Sequence, residues 1–202
     1  MVSESTDLRV IKTRAAIEMT FLDLLLQKKF NALTVKDIAS AARIGRGTFY
    51  LHFLDKYDLL EKVIDEGLNE TVERFHPRTY FVDGKVSFDR ITGFVQTMFR
   101  HFKKNDRFFR AMFFNEDIPM FRQRMQERFL SKFQQEIGQM NLPVIEKDPL
   151  MLKIMPIFVS SAMIGLLSWW FEQQAKISEE EIARRILVIM TQGPLRALGL
   201  DV

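Results

Sequence analysis

Between Gly45 and Phe53 the chain reads GRGTFYLHF, which sets an arginine, a threonine, a tyrosine and a histidine around two glycines. Such side chains suit the grip of an anionic polymer better than the breaking of bonds. Arg46 carries a planar fork matched to guanine or phosphate. Thr48 can hydrogen-bond a phosphate or touch a thymine methyl group, and Gly47 lets a backbone come close. Tyr50 and His52 have polar tips for the phosphate chain, while Phe49 and Phe53 are expected to anchor the segment from inside. Lys56 opens the next helix, where its charge and the positive helix end attract the same phosphates. Thr34 is placed similarly, one helix earlier. No comparable set exists for catalysis. His52, His76 and His101 are scattered without metal-ligand spacing, and there is no glycine-rich phosphate loop or nucleophile signature. Neither an enzyme nor a metal or cofactor site is expected.

Short helices must position these residues. Helical periodicity runs through almost every segment and strand alternation through almost none. A first helix follows Thr6 or Asp7 as N-cap, carries Ile11, Ala15, Ile17, Phe21, Leu24 and Leu25 on its apolar face, and ends near Lys28-Lys29. Thr34 caps a short helix with Val35, Ile38, Ala39 and Ala42. After a tight break comes a second short helix, roughly 46–53. Asp55 caps a fourth, which exposes Lys56 and buries Tyr57, Leu59, Leu60, Val63 and Ile64. Two short helices around a tight turn, braced by a longer one, make a helix-turn-helix, whose second member fits the major groove of DNA. Taken singly, Thr34 reads as a cap, Lys56 as a solvated lysine, Tyr50 as a core-edge aromatic and His52 as a capping histidine. Their joint placement favours the interface.

Beyond about residue 74 the composition shifts. HPRTYFVDGKVS, 76–87, reads as a connecting loop; helices follow near 88–104, 106–114 and 117–140, and NLPVIEKDP closes that run. Asp148-Pro149 starts a helix that runs to about Lys176. A Ser178–Glu181 capping box opens the last one, which ends near Gly193-Pro194. The expected fold class is all-α, with a helix-turn-helix domain over 8–70 (motif 34–53) and a larger helical domain over 75–202.

The 202 residues carry a formal net charge of +3, which permits a nucleic-acid partner without demanding one, and no cysteine, which suits a cytoplasmic location. MVSESTDLRV lacks the features of a signal peptide. MPIFVSSAMIGLLSWWF, 155–171, is strongly apolar, but it is short and holds Pro156 and three serines. It is expected to be a buried helix, with no membrane partner.

TVKDIASAARIGRGTFYLHFLDKYDLL, 34–60, resembles the DNA-binding domain of the tetracycline-repressor (TetR) family of bacterial transcriptional regulators. Thr34, Ile38, Ala39, Gly47, Thr48, Phe49, Tyr50, His52, Phe53, Lys56, Leu59 and Leu60 occupy the places of that family's motif. The close match covers about the first third of the chain. Arg43 stands where the family usually has glycine, and is either accommodated by the turn or a further phosphate contact. Gly45 replaces the usual serine-like cap. The resemblance implies DNA contacts from Thr34, Arg43, Arg46, Gly47, Thr48, Tyr50, His52 and Lys56. It also implies a homodimer on an inverted-repeat, double-stranded operator, acting as a ligand-responsive repressor.

The same resemblance assigns the later helices to dimerisation and effector binding. Ile157, Ser161, Gly165 and Trp169 on one helix, with Ile186 and Ile189 on the last, are the expected dimer seam, where the small residues admit a close helix approach. The chain holds 19 phenylalanines and 11 methionines, enough to line an adaptable apolar cavity as well as a core. Phe94, Met98, His101, Phe113 and Trp170 are the expected contacts to an apolar or amphipathic small-molecule effector. The rival reading is a helical module that binds small molecules or proteins and leaves DNA alone.

Overall fold

The computed structural model describes residues 2–82, 85–137 and 148–200, with side chains from Leu8 onward. Asp83 and Gly84 of the expected loop, the 138–140 end of the expected long helix, and the closing run Asn141 to Lys147 lie outside the described residues. The helices are α1 (Val2–Leu25), α2 (Val35–Ala41), α3 (Arg46–Tyr50), α4 (Lys56–Val72), α5 (Phe88–Lys104), α6 (Asp106–Phe114), α7 (Phe121–Ile137), α8 (Pro149–Glu172) and α9 (Glu179–Ala197). Short 3-10 turns cover Phe30–Ala32 and Pro77–Tyr80. The expected loop at 76–87 holds two strands of two residues each, paired antiparallel with Phe81 opposite Val86 and Val82 opposite Lys85.

Packing divides the chain into two units, Met1–Asn69 with Asp106–Phe121, and Glu70–Asn105 with Arg122–Val202. In the first, Ile17, Phe21 and Leu25 recur every four residues on α1, so all three fall on one face and are buried. They join Ile38, Phe49, Phe53, Leu59, Ile64 and Leu68 in the core. α1 packs against both α2 and α6, and α6 adds Phe108, Phe109, Met112 and Phe113. In the second unit α9 lies along α5, joining Ile182, Ala183 and Ile186 to a core that holds Phe99, Leu167, Trp170 and Phe171. Trp170 meets the Phe99 ring edge-on at 5.1 Å, and its Nε1 donates to the Ile177 carbonyl.

Several expected boundaries shift. α1 runs straight through Thr6 and Asp7, the expected caps, and stops at Leu25 rather than near Lys28. Tyr57, expected in the core, is exposed and leans edge-on against Phe30 at 5.3 Å. Asp148 and Ser178 cap α8 and α9, accepting from the backbone of Met151 and Glu181. α9 kinks at Gly193, where φ is 80°. The apolar helix α8 is not the buried helix expected: only 17% of its most apolar stretch is buried.

Candidate nucleic-acid interface

Thr34 starts the motif by closing a capping box. Its Oγ1 accepts from the Asp37 backbone N–H at 3.2 Å, while the Asp37 carboxylate accepts from the Thr34 backbone at 2.9 Å and from its hydroxyl at 2.6 Å. These bonds, the hydroxyl's first, hold the Asp37 carboxyl below the ordinary aspartate range. The Thr34 proton is thereby committed to its own helix.

At the other end of α2 the backbone reverses through a Schellman closure. Arg43 N–H donates to Ser40 O at 3.1 Å and Ile44 N–H to Ala39 O at 3.0 Å. The geometry needs one left-handed residue, and Arg43 supplies it with φ 55°. That is the position where the resemblance leads one to expect glycine. The arginine side chain leaves the turn into solvent.

Gly45 then caps α3 without a side chain, and Thr48 and Phe49 N–H both return to its carbonyl. Phe49 and Phe53 are fully buried, their rings 5.7 Å apart, and pin the short helix down. Helical spacing therefore turns Arg46, Gly47 and Tyr50 outward together, and all three are exposed; Thr48 and His52 are half-buried at the flanks. A Cβ on Gly47 would meet nothing within 4 Å, so no packing inside the chain requires glycine there. The result is a firmly seated helix with a basic, aromatic outer face.

Lys56 does something that the sequence does not reveal. Its Nζ donates to three carbonyls, Phe30 O at 3.1 Å, Asn31 O at 3.1 Å and Leu33 O at 2.8 Å, and lies 4.7 Å over the Phe30 ring. An ammonium has three protons, and all are occupied. Lys56 thus ties the link between α1 and α2 to the start of α4.

The same link is held by residues that the sequence reading did not assign to it. Asn115, only 8% exposed, donates from Nδ2 to Leu25 O and Lys28 O, and accepts at Oδ1 from Phe30 N–H. Asp117 accepts from Asn31 N–H at 2.8 Å, and Glu116 pairs with Lys29. Partners some 85 positions away leave no local signal, so only the polar run NED could have drawn attention to them.

The other expected sites are brought together only in part. Phe94, Met98, His101 and Trp170 lie in the second unit, whereas Phe113 belongs to the first, against Phe121. His101, expected as a polar handle, is buried with both nitrogens engaged, Nε2 by Thr71 Oγ1 at 3.0 Å and Nδ1 by Asn105 at 3.1 Å. Burial pushes its pKa down, so the ring stays neutral. Trp170, the other handle, has its N–H spent on Ile177. Of the expected seam, Ile157, Ser161, Gly165, Trp169 and Ile189 are exposed, but Ile186 is turned into its own core and has little surface left to cover.

Residues 22–63 match the family described as bacterial regulatory proteins of the tetR family, and residues 89–192 match the transcriptional regulator C-terminal region. The chain is 37% identical over 68 residues to the HTH-type transcriptional regulator YxbF of Bacillus subtilis, a match spanning 33% of this chain but only 18% of that protein. Among solved structures, a TetR transcriptional regulator from Streptococcus agalactiae is similar at 22% identity and TM-score 0.57, covering 93% of this chain and 98% of that one. FadR, the fatty acid degradation regulator of Bacillus halodurans, aligns at 14% identity and TM-score 0.70, covering 91% and 96%. NalD, the secondary repressor of the MexAB-OprM multidrug efflux pump in Pseudomonas aeruginosa, aligns at 21% and 0.65, covering 90% and 96%. These three likenesses show the shared fold.

Proposed function

The chain belongs to the TetR family of bacterial transcriptional regulators, and from that premise we propose that it is a homodimeric, ligand-responsive repressor of an inverted-repeat operator. The observation that carries DNA recognition is the outer face of α3, where Arg46, Gly47 and Tyr50 are exposed above two buried phenylalanines. Arg46 reads a base edge, Tyr50, Thr48 and His52 contact phosphates, and Arg43 adds charge at the turn. Thr34 and Lys56 serve the interface from behind, by fixing the start of α2.

The uncovered stripe on α8 supports the dimer. Met151, Ile154, Phe158, Gly165 and Trp169 recur at helical spacing and are all exposed, and Ile189 and Met190 extend the apolar surface on α9. A water-facing patch of this kind marks an interaction surface. One recognition helix contacts too few base pairs to select a site, whereas a twofold pair reads an inverted repeat. An apolar or amphipathic small molecule that favours a DNA-incompetent arrangement would release the operator, and DNA would weaken that ligand equally.

Selection of bound fragments from random duplex DNA by the full chain tests this reading. An inverted repeat should emerge, with affinity falling steeply as salt rises. Arg46→Ala should relax one base position at a cost of about 1–3 kcal/mol. No enriched sequence, together with salt-insensitive binding, would leave only the rival reading of a module without DNA-binding activity.

A further inference from the structure

Two buried polar atoms among the described residues have no hydrogen-bond partner, and both lie in the second unit: Tyr80 Oη and Glu136 Oε2. Glu136 is 8% exposed. Its other oxygen, Oε1, is served twice, by His76 Nδ1 at 3.0 Å and Lys132 Nζ at 3.1 Å. Burial pulls this carboxyl up, but the bonds from His76 and Lys132, the Lys132 charge and a bond from the Arg78 backbone together outweigh it and leave its pKa below the ordinary glutamate value, so the group stays charged. Burial first, and then the Glu136 charge, push the Tyr80 phenol far above its ordinary range, so it keeps its proton. One buried donor and one buried acceptor therefore stand idle, and a buried polar group left without a partner destabilises the fold. Chains seldom carry such groups without a use for them.

Aromatic rings gather at Tyr80. Phe75 stacks obliquely on Phe94 at 5.5 Å and edge-on against Phe129 at 5.3 Å, and Tyr80 meets Phe94 at 5.1 Å. All four rings are half-buried and keep part of their surface accessible. We propose that Tyr80, Glu136 and the rings of Phe75, Phe94 and Phe129 form a binding site for a neutral hydroxyl compound with an apolar or aromatic body. Its hydroxyl accepts from Tyr80 Oη and donates to Glu136 Oε2, because one hydroxyl carries both capacities. Ionic ligands fit worse. Glu136 is already balanced by Lys132, which would repel an ammonium, and the carboxylate itself would repel an acid. This site gives a place and a chemistry to the effector of the ligand-responsive reading, on which it rests.

The test is titration of the full chain, without DNA, with p-cresol, toluene and p-methylbenzylamine, followed by ligand-observed NMR. p-Cresol should bind about tenfold or more tighter than either relative. Tyr80→Phe and Glu136→Gln should each abolish that preference while leaving toluene binding unchanged. Tyr80→Phe should also raise the melting temperature of the free protein, since it deletes an idle donor, which a merely structural hydroxyl would not do. Equal affinity for p-cresol and toluene, or no p-cresol binding even with a water found between the two atoms, overturns the proposal. So does a Tyr80→Phe protein that melts lower and keeps its preference. Operator affinity is measured separately: binding of p-cresol as described with no change in operator affinity retains the site and removes ligand-responsive repression by it.

Discussion

Gly67 and Phe108 meet with no room for a side chain between them: a Cβ on Gly67 would stand 2.7 Å from the ring's Cε1 and Cε2. Phe108 cannot swing away freely, because Phe109 and Phe121 hold its ring at 5.0 and 5.6 Å. This contact joins α4 to α6 within the first unit. Gly67→Ala should therefore destabilise the protein by about 1–3 kcal/mol through overpacking, despite alanine's better helix propensity. Denaturant midpoints check this, and adding Phe108→Leu should recover most of the loss. An unchanged midpoint for Gly67→Ala would refute the close contact.

Arg43 pays for its turn in backbone strain. A left-handed non-glycine residue costs roughly 1–2 kcal/mol, partly offset by glycine's greater freedom when unfolded. Arg43→Gly should thus gain about 0.5–1 kcal/mol in urea unfolding. If the arginine also contacts phosphate, the same variant binds DNA less tightly with a shallower salt dependence.

Lys56→Met should separate support from contact. Losing three bonds to carbonyls should cost about 1–3 kcal/mol of stability and weaken DNA binding. The slope of log affinity against log salt should stay at the wild-type value, because no phosphate contact is removed. A slope shallower by about one unit would return Lys56 to the DNA backbone.

The capping box predicts a pH dependence. Asp37 has a lowered pKa in the folded state. Its contribution is therefore complete above the ordinary aspartate pKa and disappears as the pH falls through the lowered one. Asp37→Asn should melt below wild type at neutral pH, and the gap should close on acidification. A gap of constant size would place the effect elsewhere than in the carboxylate.

Gly165 offers a clean probe of the proposed dimer, since a Cβ there meets nothing within 4 Å in the single chain. Gly165→Trp should leave the subunit folded by circular dichroism yet shift sedimentation toward monomer and weaken operator binding. Phe158→Asp, on a side chain 69% exposed, should do the same. Normal dimers from both variants would move the interface off this face.

What the sequence disclosed and what it hid divide along the range of the interactions. Thr34, Asp55 and Ser178 cap groups two or three positions ahead, and that spacing is visible in the chain itself. Phe49 and Phe53, one helical turn apart, were legible as anchors for the same reason. Asn115 was not, because its partners at Leu25, Lys28 and Phe30 are brought near only by folding. Lys56 misled: a lysine in a first helical turn looks solvated until three carbonyls surround it. Ile186 and Ile189 have the same chemistry, and only packing decides which faces inward.

Residues 106–121 share one packed unit with the first 69. Anyone splicing these DNA-binding helices onto another regulator's body has to respect that. A cut after Asn69 would strip Asn115 from the carbonyls of Leu25 and Lys28 and uncover the α1 surface beneath α6. The transplantable module is discontinuous, and a working chimera must carry its second piece as well as its first.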